Sequence, residues 1–498
     1  MAIRGFELSD APAVASVALD ASQQRVLALA EGSSAAVIGA PGSGKTTTAV
    51  ELVADRVLSR GYSPDEVVVL TPSRAGASAL RDRIALRLAV PTNGPLARTV
   101  NSLAFEIVTD AARRAGSPLP RLVTGGEQDA DISQLLQGHL DDGTGPEWPE
   151  HLGPEVRTLR GFRTELRELM ARATEYGVSP AELRSLGAQH DHPEWVAAAD
   201  FIDEYLTVIA TSRQHQVDSA ELVQFAIAAL DREAGERVSR LRLVIVDDLQ
   251  EATESTLALL RALARRGIAI IALGDPDVAA NAFRGGEPDA LGRLSTVLGL
   301  PALQTIVLDT VHRQSPALRE LTTRITDRIG TAAAGSQRAA RAVASPAPDV
   351  PPILRVEAPT PGRVWASTAR LLREHHLMRG VPWSRMAVVV RSGATVPPAA
   401  RALALAEVPT RTSVGGRPLR EDHAARALLT VVDVGTGRTP LSAALATGML
   451  LGPFGGLDRL GLRRLRLALR AEEILGGGSR PGDELLVEAL AAPGRLAT

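Results

Sequence analysis

Short apolar runs separated by polar, helix-patterned stretches dominate the first three hundred positions. Ala35–Ile38, Val67–Leu70, Leu243–Val246 and Ile268–Leu273 are each bounded by turn or polar residues. Their length and β-branched content predict buried strands. Between them, apolar positions recur at helical spacing. Val50, Val53, Ala54 and Val57 share one face, as do Leu159, Phe162, Leu166 and Leu169. The stretch "STLALLRALAR" at 255–265 predicts a crossover helix, so 243–277 reads as a β-α-β unit. Strands alternating with helices predict an α/β fold built on a parallel sheet.

Two of the runs end in candidate chemistry. The first leads into Gly39-Ala40-Pro41-Gly42-Ser43-Gly44-Lys45-Thr46-Thr47, and a helix follows. Strand, glycine-rich loop and helix start is the context a phosphate cradle requires. Glycines let backbone N–H groups converge on phosphate oxygens, and the helix N-terminus adds its positive dipole end. Lys45 can reach the β- and γ-phosphates, and Thr46 can hold Mg²⁺. The cradle implies a nucleotide but does not select a reaction, since kinases, GTPases, ABC ATPases and DNA motors all use one.

The third run ends in Asp247-Asp248. A phosphate site needs a carboxylate near Mg²⁺ at a neighbouring strand end, with a water-orienting group beside it. Asp247 suits the metal and Asp248 the water. A solvated turn is the alternative reading of the pair. The fourth run ends in Gly274-Asp275. About two hundred residues separate Lys45 from Asp247, more than a simple nucleotide domain needs, so a large insertion is expected.

Bulk properties narrow the class only slightly. A chain of 498 residues predicts about three to four domains. Its 55 basic and 57 acidic side chains leave a net charge of -2, which neither supports nor excludes nucleic acid. The absence of cysteine excludes disulfides, thiolate metal sites and cysteine nucleophiles. No apolar run is long enough to span a bilayer and no signal peptide is seen, so a cytoplasmic protein with no membrane partner is expected. Aromatic residues at 3% allow few base-stacking platforms. His190 and His192 in "QHDHPEW" have no third metal ligand at helpful spacing.

Taken in order, the motifs resemble those of the UvrD/Rep/PcrA-type superfamily 1A DNA helicases. "LDASQQRVL" (19–27) resembles the Q motif, "GAPGSGKT" motif I, and "VVVLTPSRAGASALRDRI" (67–84) motif Ia. "RTVNSLAFEI" (98–107) resembles motif Ib, "VDDLQEA" motif II, "GDPDVAANAFRGG" (274–286) motif III, and "LDTVHRQSPAL" (308–318) motif IV. The matches run over about residues 19–320. "PLPRLVTGGEQDADISQLL", "LREDHAARALL" and "LLGPFGGLDRLGLRRLRLALR" are similar to the AdnA-like branch of the AdnAB and AddAB helicase-nucleases. The resemblance implies roles. Gln23 would read the adenine edge and His312 would stand where a tyrosine stacks on it. Gln250 would link the nucleotide to DNA-contacting segments. Arg284 would sit near the interdomain cleft, and Arg313 would act as the arginine finger from a second domain. It also implies single-stranded and duplex-end DNA as partners, with a second, AdnB-like subunit in a heterodimer.

The sequence also departs from the family pattern. Asp248 replaces the usual glutamate, one methylene shorter. Val278 replaces a glutamine in motif III and Asn281 an aromatic residue. Patterns for motifs V and VI and for a RecB-type nuclease are not found before Thr498, so the chain reads as the N-terminal part of a longer or truncated protein.

The expected organisation is an arm at 1–18, a first motor domain at 19–110 and 215–305, and a helical insertion at 111–214. A partial second RecA-like domain follows at 306–419, with "MAVVVRSG" (386–393) as a strand, then a helical, partial 2B-like region at 420–498. Arginines along 155–177 read either as a solvated face or as DNA contacts. The leading functional reading is an ATP-dependent helicase or translocase subunit, acting in DNA end processing and recombination repair as a main or auxiliary motor. A weakly hydrolysing ATP-binding scaffold is the alternative, and an unrelated P-loop kinase the third.

Overall fold

A computed structural model describes residues 17–212, 216–282, 285–330, 335–343, 353–412 and 423–492. The chain divides into two compact units, 1–353 and 354–498.

The first unit is organised by a six-stranded sheet. In chain order its strands are β1 (Ala35–Gly39), β2 (Val67–Leu70), β3 (Ala97–Arg98), β6 (Leu243–Val246), β7 (Ala269–Gly274) and β8 (Gln304–Leu308). Between them come β4 (Arg121–Leu122) and β5 (Gln216–Val217), which form a separate pair. The spatial order is β3-β2-β6-β7-β1-β8. Every neighbouring pair is parallel, as right-handed crossovers through helices require.

Strand side chains alternate between two cores. Val68, Leu70, Val244, Val246 and Ile270 face one way, against the helices Val100–Arg114, Ser219–Arg232 and Glu254–Arg265. Val67, Val69, Leu243, Ile245 and Ile271 face the other, against Lys45–Ala54 and Arg74–Leu88. Covering both faces explains why the strands read as unbroken apolar runs. The crossover helix begins at Glu254, buries Leu257, Leu260 and Leu263, and turns Arg265 outward.

Gln304–Leu308, expected to open a second motor domain, instead completes this first sheet. It pairs with β1 over five positions. Leu308 and Ile306 are buried beneath it, so the apolar residues that promised a new core belong to the old one. The chain then forms β9 (Thr310–Val311), pairs it with β10 (Arg341–Ala342), and inserts the helix Pro316–Thr326 between them.

Between β4 and β5 the chain forms the long helices Gly125–Asp142, Arg160–Tyr176, Pro180–Gln189 and Pro193–Ser212. They share a core of Ile132, Leu136, Leu166, Met170, Phe201 and Ile202. Phe162 and Leu169 pack at its edge, whereas Leu159 precedes its helix and is exposed. His192 stacks on Trp195 at 4.5 Å and bonds Glu194.

The second unit is helical among its described residues, with helices at Pro361–Arg379, Val396–Leu405, His423–Gly435, Ala443–Leu451, Arg459–Leu475 and Gly482–Ala491. "MAVVVRSG" was expected as a strand and does not form one. Residues 386–390 lack a ladder partner among the described residues, and Val389 is 91% exposed. A β-branched run needs a neighbouring edge to become a strand, and the described part of this unit offers none. Among the described residues, no helix is long and apolar enough to cross a membrane.

Candidate active site at the strand ends

The candidate site lies at the C-terminal ends of β1, β6 and β7, where open parallel sheets bind ligands. The loop after β1 turns through Gly42 and Gly44, both left-handed at φ 84° and 85°. A side chain there would be strained, so the loop can bring its N–H groups together before the helix starting at Lys45. Ala40 is buried against Val311 and Ala340, which seats the loop from behind. Ser43 is buried with its hydroxyl unpartnered, while Pro41 is half-buried. Thr47 is tied to Arg83 at 3.1 Å.

Lys45 Nζ donates to Gly39 O at 2.7 Å and to Ala40 O at 3.3 Å. Burial pulls its pKa below the ordinary lysine value, against the opposing pull of Asp275, then Asp248 and Asp247. Lys45 is also the only lysine in the chain; the other basic side chains are arginines. A compact ammonium remains at the one place where a planar guanidinium would not substitute for it.

Thr46 Oγ1 donates to Asp247 Oδ2 at 2.9 Å, joining the loop after β1 to the end of β6. Asp247 is 5% exposed, and its Oδ1 has no hydrogen-bond partner. Burial, and then the like charge of Asp248, raise its pKa to about 6. An orphaned, buried carboxylate oxygen beside a threonine hydroxyl fits a hard divalent cation, which takes oxygen ligands.

Asp248 occupies the left-handed region at φ 57°. Aspartate tolerates that conformation better than most residues, so the shorter acid in glutamate's place suits the local backbone. Its Oδ1 accepts from Gln250 Nε2 at 3.2 Å, and Gln250 Oε1 accepts from the Asp275 N–H at 3.0 Å. Gln250 therefore bridges β6 to β7. Glu251 extends the bridge by accepting from Ala280 and Asn281 N–H at 2.7 and 2.8 Å.

Gln23 is buried and its amide is engaged on both sides. Nε2 donates to Thr48 Oγ1 at 3.1 Å, and Oε1 accepts from the Asp20 N–H at 3.1 Å. His312 Nε2 meets Asp20 Oδ2 at 2.8 Å, and the His312 backbone N–H donates to Gly42 O at 2.9 Å. Arg313 follows, exposed, with its Cβ against Gly42. It was expected from a second domain but belongs to the first unit, because the strand before it joined the first sheet. Val278 is 41% exposed. Arg284 lies outside the described residues.

Asp275 is the residue that sequence reasoning passed over. It is fully buried, its Oδ2 is unpartnered, and it is the foremost carboxylate acting on Lys45. Burial raises its pKa, and Lys45 opposes the rise. The signal was present as an acid directly after an apolar strand, the same pattern that marked Asp247. A cavity of about 440 Å³ is lined by Asp247 and Asp248 together with Thr71, Thr99, Asn101 and Arg167. It joins the acids to the Ia and Ib stretches and to the insertion.

Fold and site together define a RecA-like P-loop nucleotide-binding domain. The chain belongs to the UvrD/REP helicase family: the model of the UvrD/REP helicase N-terminal domain matches residues 19–297, more than half of its length. It is also similar to the ATP-dependent DNA helicase Rep of Salmonella typhimurium, at 23% identity over 308 residues. That match covers 60% of this chain and 41% of the relative. The chain thus spans less than half the length of the relative it matches.

Proposed function

We propose that this chain is an ATP-dependent DNA translocase or helicase subunit that uses Mg²⁺-ATP to move on single-stranded DNA. One observation carries the reading. The Thr46–Asp247 contact and the Asp248–Gln250–Asp275 bridge join three strand ends into one site that also lines the cavity toward the Ia and Ib stretches. In that arrangement Thr46 and Asp247 would hold Mg²⁺, which neutralises developing phosphate charge when bound. Lys45 would hold the β- and γ-phosphates. Asp248 would orient the attacking water, and Arg313 would add positive charge where the γ-phosphate leaves. Gln250 and Glu251 would report the state of the nucleotide to the loop at 275–281.

The natural setting of this reading is a cytoplasmic complex that processes DNA ends for recombination repair. There the chain would act on single-stranded and duplex-end DNA beside an AdnB-like partner. The motif stretches similar to the AdnA-like branch support that setting. A second reading, an ATP-binding scaffold with little turnover, draws on Asp248 and on the exposed, apolar Val278.

ATP hydrolysis with and without single-stranded DNA, on the wild type and Lys45→Ala, separates the two. Hydrolysis stimulated by DNA and lost in the variant supports the motor. A tight nucleotide complex without turnover sinks it in favour of the scaffold.

A further inference from the structure

The helix that opens at Lys45 does not end as an α-helix. After Ala54 it passes into a wider, π-helical turn at Asp55–Ser59. That turn and the residue after it carry two arginines, Arg56 and Arg60. Arg56 is 2% exposed, an unusual depth for a guanidinium. Its Nη1 donates to Leu27 O at 3.1 Å and its Nη2 to Leu29 O at 2.9 Å. Arg60 takes the same two carbonyls crosswise, with Nη2 to Leu27 O at 2.6 Å and Nη1 to Leu29 O at 3.3 Å. Asp55 pairs with both guanidinium groups, at 2.8 Å to Arg60.

Those carbonyls lie at the far end of the short helix Ala21–Leu27. The last carbonyls of a helix have no partner within it, and cations suit its negative dipole end. Seven residues are too few for a helix to hold itself in water, so its position comes from what it is tied to. Its other end is tied to the same long helix. Gln23 Nε2 bonds Thr48 Oγ1, and a Cβ on Gly44 would lie 2.5 Å from that nitrogen, so the amide rests on the phosphate loop. Val26 and Leu29, between the two ties, share a core with Val50 and Val53. Gln23 Oε1 accepts from Asp20 N–H, which leaves the amide one N–H and one acceptor lone pair uncommitted among the described residues. An adenine edge offers the complement, an acceptor N7 beside a donor amino group, whereas guanine offers two acceptors there.

A buried ion pair adds little stability over an apolar contact of the same size. Two forked donors on two carbonyls add a fixed direction and distance instead. We propose that Arg56 and Arg60 are positioning residues for the base half of the nucleotide site. From the end of the helix opposite the site, they fix the 20–29 segment against the phosphate helix, and so set the preference for adenine over guanine. The inference rests on the nucleotide-site reading above but not on turnover.

The test uses the full chain with Mg²⁺. Calorimetric affinities for ATP, GTP and inorganic tripolyphosphate are compared in the wild type, Arg56→Met, Arg56→Lys and Arg60→Ala, and a melting curve shows that each folds. The wild type should prefer ATP to GTP. Arg56→Met and Arg60→Ala should each lose several-fold of that preference through weaker ATP binding, while tripolyphosphate affinity stays close to wild type. Arg56→Lys keeps the charge but not the fork, and should fall between Arg56→Met and wild type. Arg60 is partly exposed, so Arg60→Ala carries the expectation should Arg56→Met fail to fold. Folded variants with an unchanged preference, or with ATP and tripolyphosphate weakened in equal measure, overturn the proposal, since the arginines would then serve the fold alone. A wild type that binds tripolyphosphate but does not prefer ATP to GTP overturns it too, and leaves the phosphate cradle standing. A wild type that binds none of the three sinks the nucleotide reading itself, and the proposal with it.

Discussion

Asp247 and Asp248 are neighbours with opposite problems. Asp247 is buried with one oxygen unmet, and its carboxyl is held up at about 6 from 3.8. The folded protein thus binds that proton more tightly than the unfolded chain. The group costs stability above pH 6, and the cost fades as pH falls toward 3.8. Asp247→Asn should therefore stabilise the metal-free protein by about 2–3 kcal/mol at pH 8, at 1.36 kcal/mol per unit, and by much less at pH 4.5. Urea unfolding at the two pH values checks this; an equal gain at both would exclude it. The same substitution should abolish Mg²⁺-dependent hydrolysis. Asp248 is limited by reach and backbone instead. Asp248→Glu restores the longer acid but places it in a left-handed conformation that costs about 1 kcal/mol. Turnover should rise while the unfolding midpoint falls. A fall in both would move the limit to the loop at 275–281.

Elements of the first unit differ in how clearly the sequence announces them. The phosphate loop and the strand before Asp247 were legible because everything that defines them is local: an apolar run, a glycine pattern, a helix face. The setting of Asp275 was not, because Gln337 reaches it from about sixty residues away and no periodicity encodes that contact. Residues 304–308 looked like a new beginning, since a strand's partners are invisible in its own sequence. Residues 386–390, in the second unit, had strand composition but no edge to join among the described residues. The bridge between β6 and β7 gives a prediction at this scale. A Cβ at Gly274 would lie 2.6 Å from Gln250 Oε1, too close for any real contact. Gly274→Ala should displace Gln250, lower DNA-stimulated hydrolysis at least several-fold, and leave basal nucleotide affinity within a factor of about two. Equal loss of affinity and stimulation would show that the glycine serves the cradle rather than the bridge.

Across the whole chain, charge is unevenly shared. Residues 354–498 carry 20 arginines against 12 acidic side chains, whereas residues 1–353 hold an acidic excess, so the near-neutral total conceals a basic second unit. Such asymmetry is what the proposed nucleic-acid partner would require of one unit. If DNA binds as proposed, its affinity should fall steeply with salt. Removing 354–498 should flatten that slope more than it alters nucleotide binding. Titrations in 50 and 200 mM salt decide this, and an unchanged slope would place the phosphate contacts in the first unit.

The β4–β5 pair has a consequence for how such a molecule can be taken apart. Arg121 and Leu122 lie beside Gln216 and Val217, and the Val123 N–H donates to Val217 O at 3.0 Å. The helical excursion between them leaves and re-enters the motor through neighbouring backbones and has an apolar core of its own, while its helix Arg160–Tyr176 also packs against the motor helices Ser219–Arg232 and Glu254–Arg265. It is a cassette with a narrow neck: a short glycine-serine splice at 124–214 should leave the six-stranded sheet folded, and a foreign helical module grafted at the same neck should inherit its seat above the strand ends.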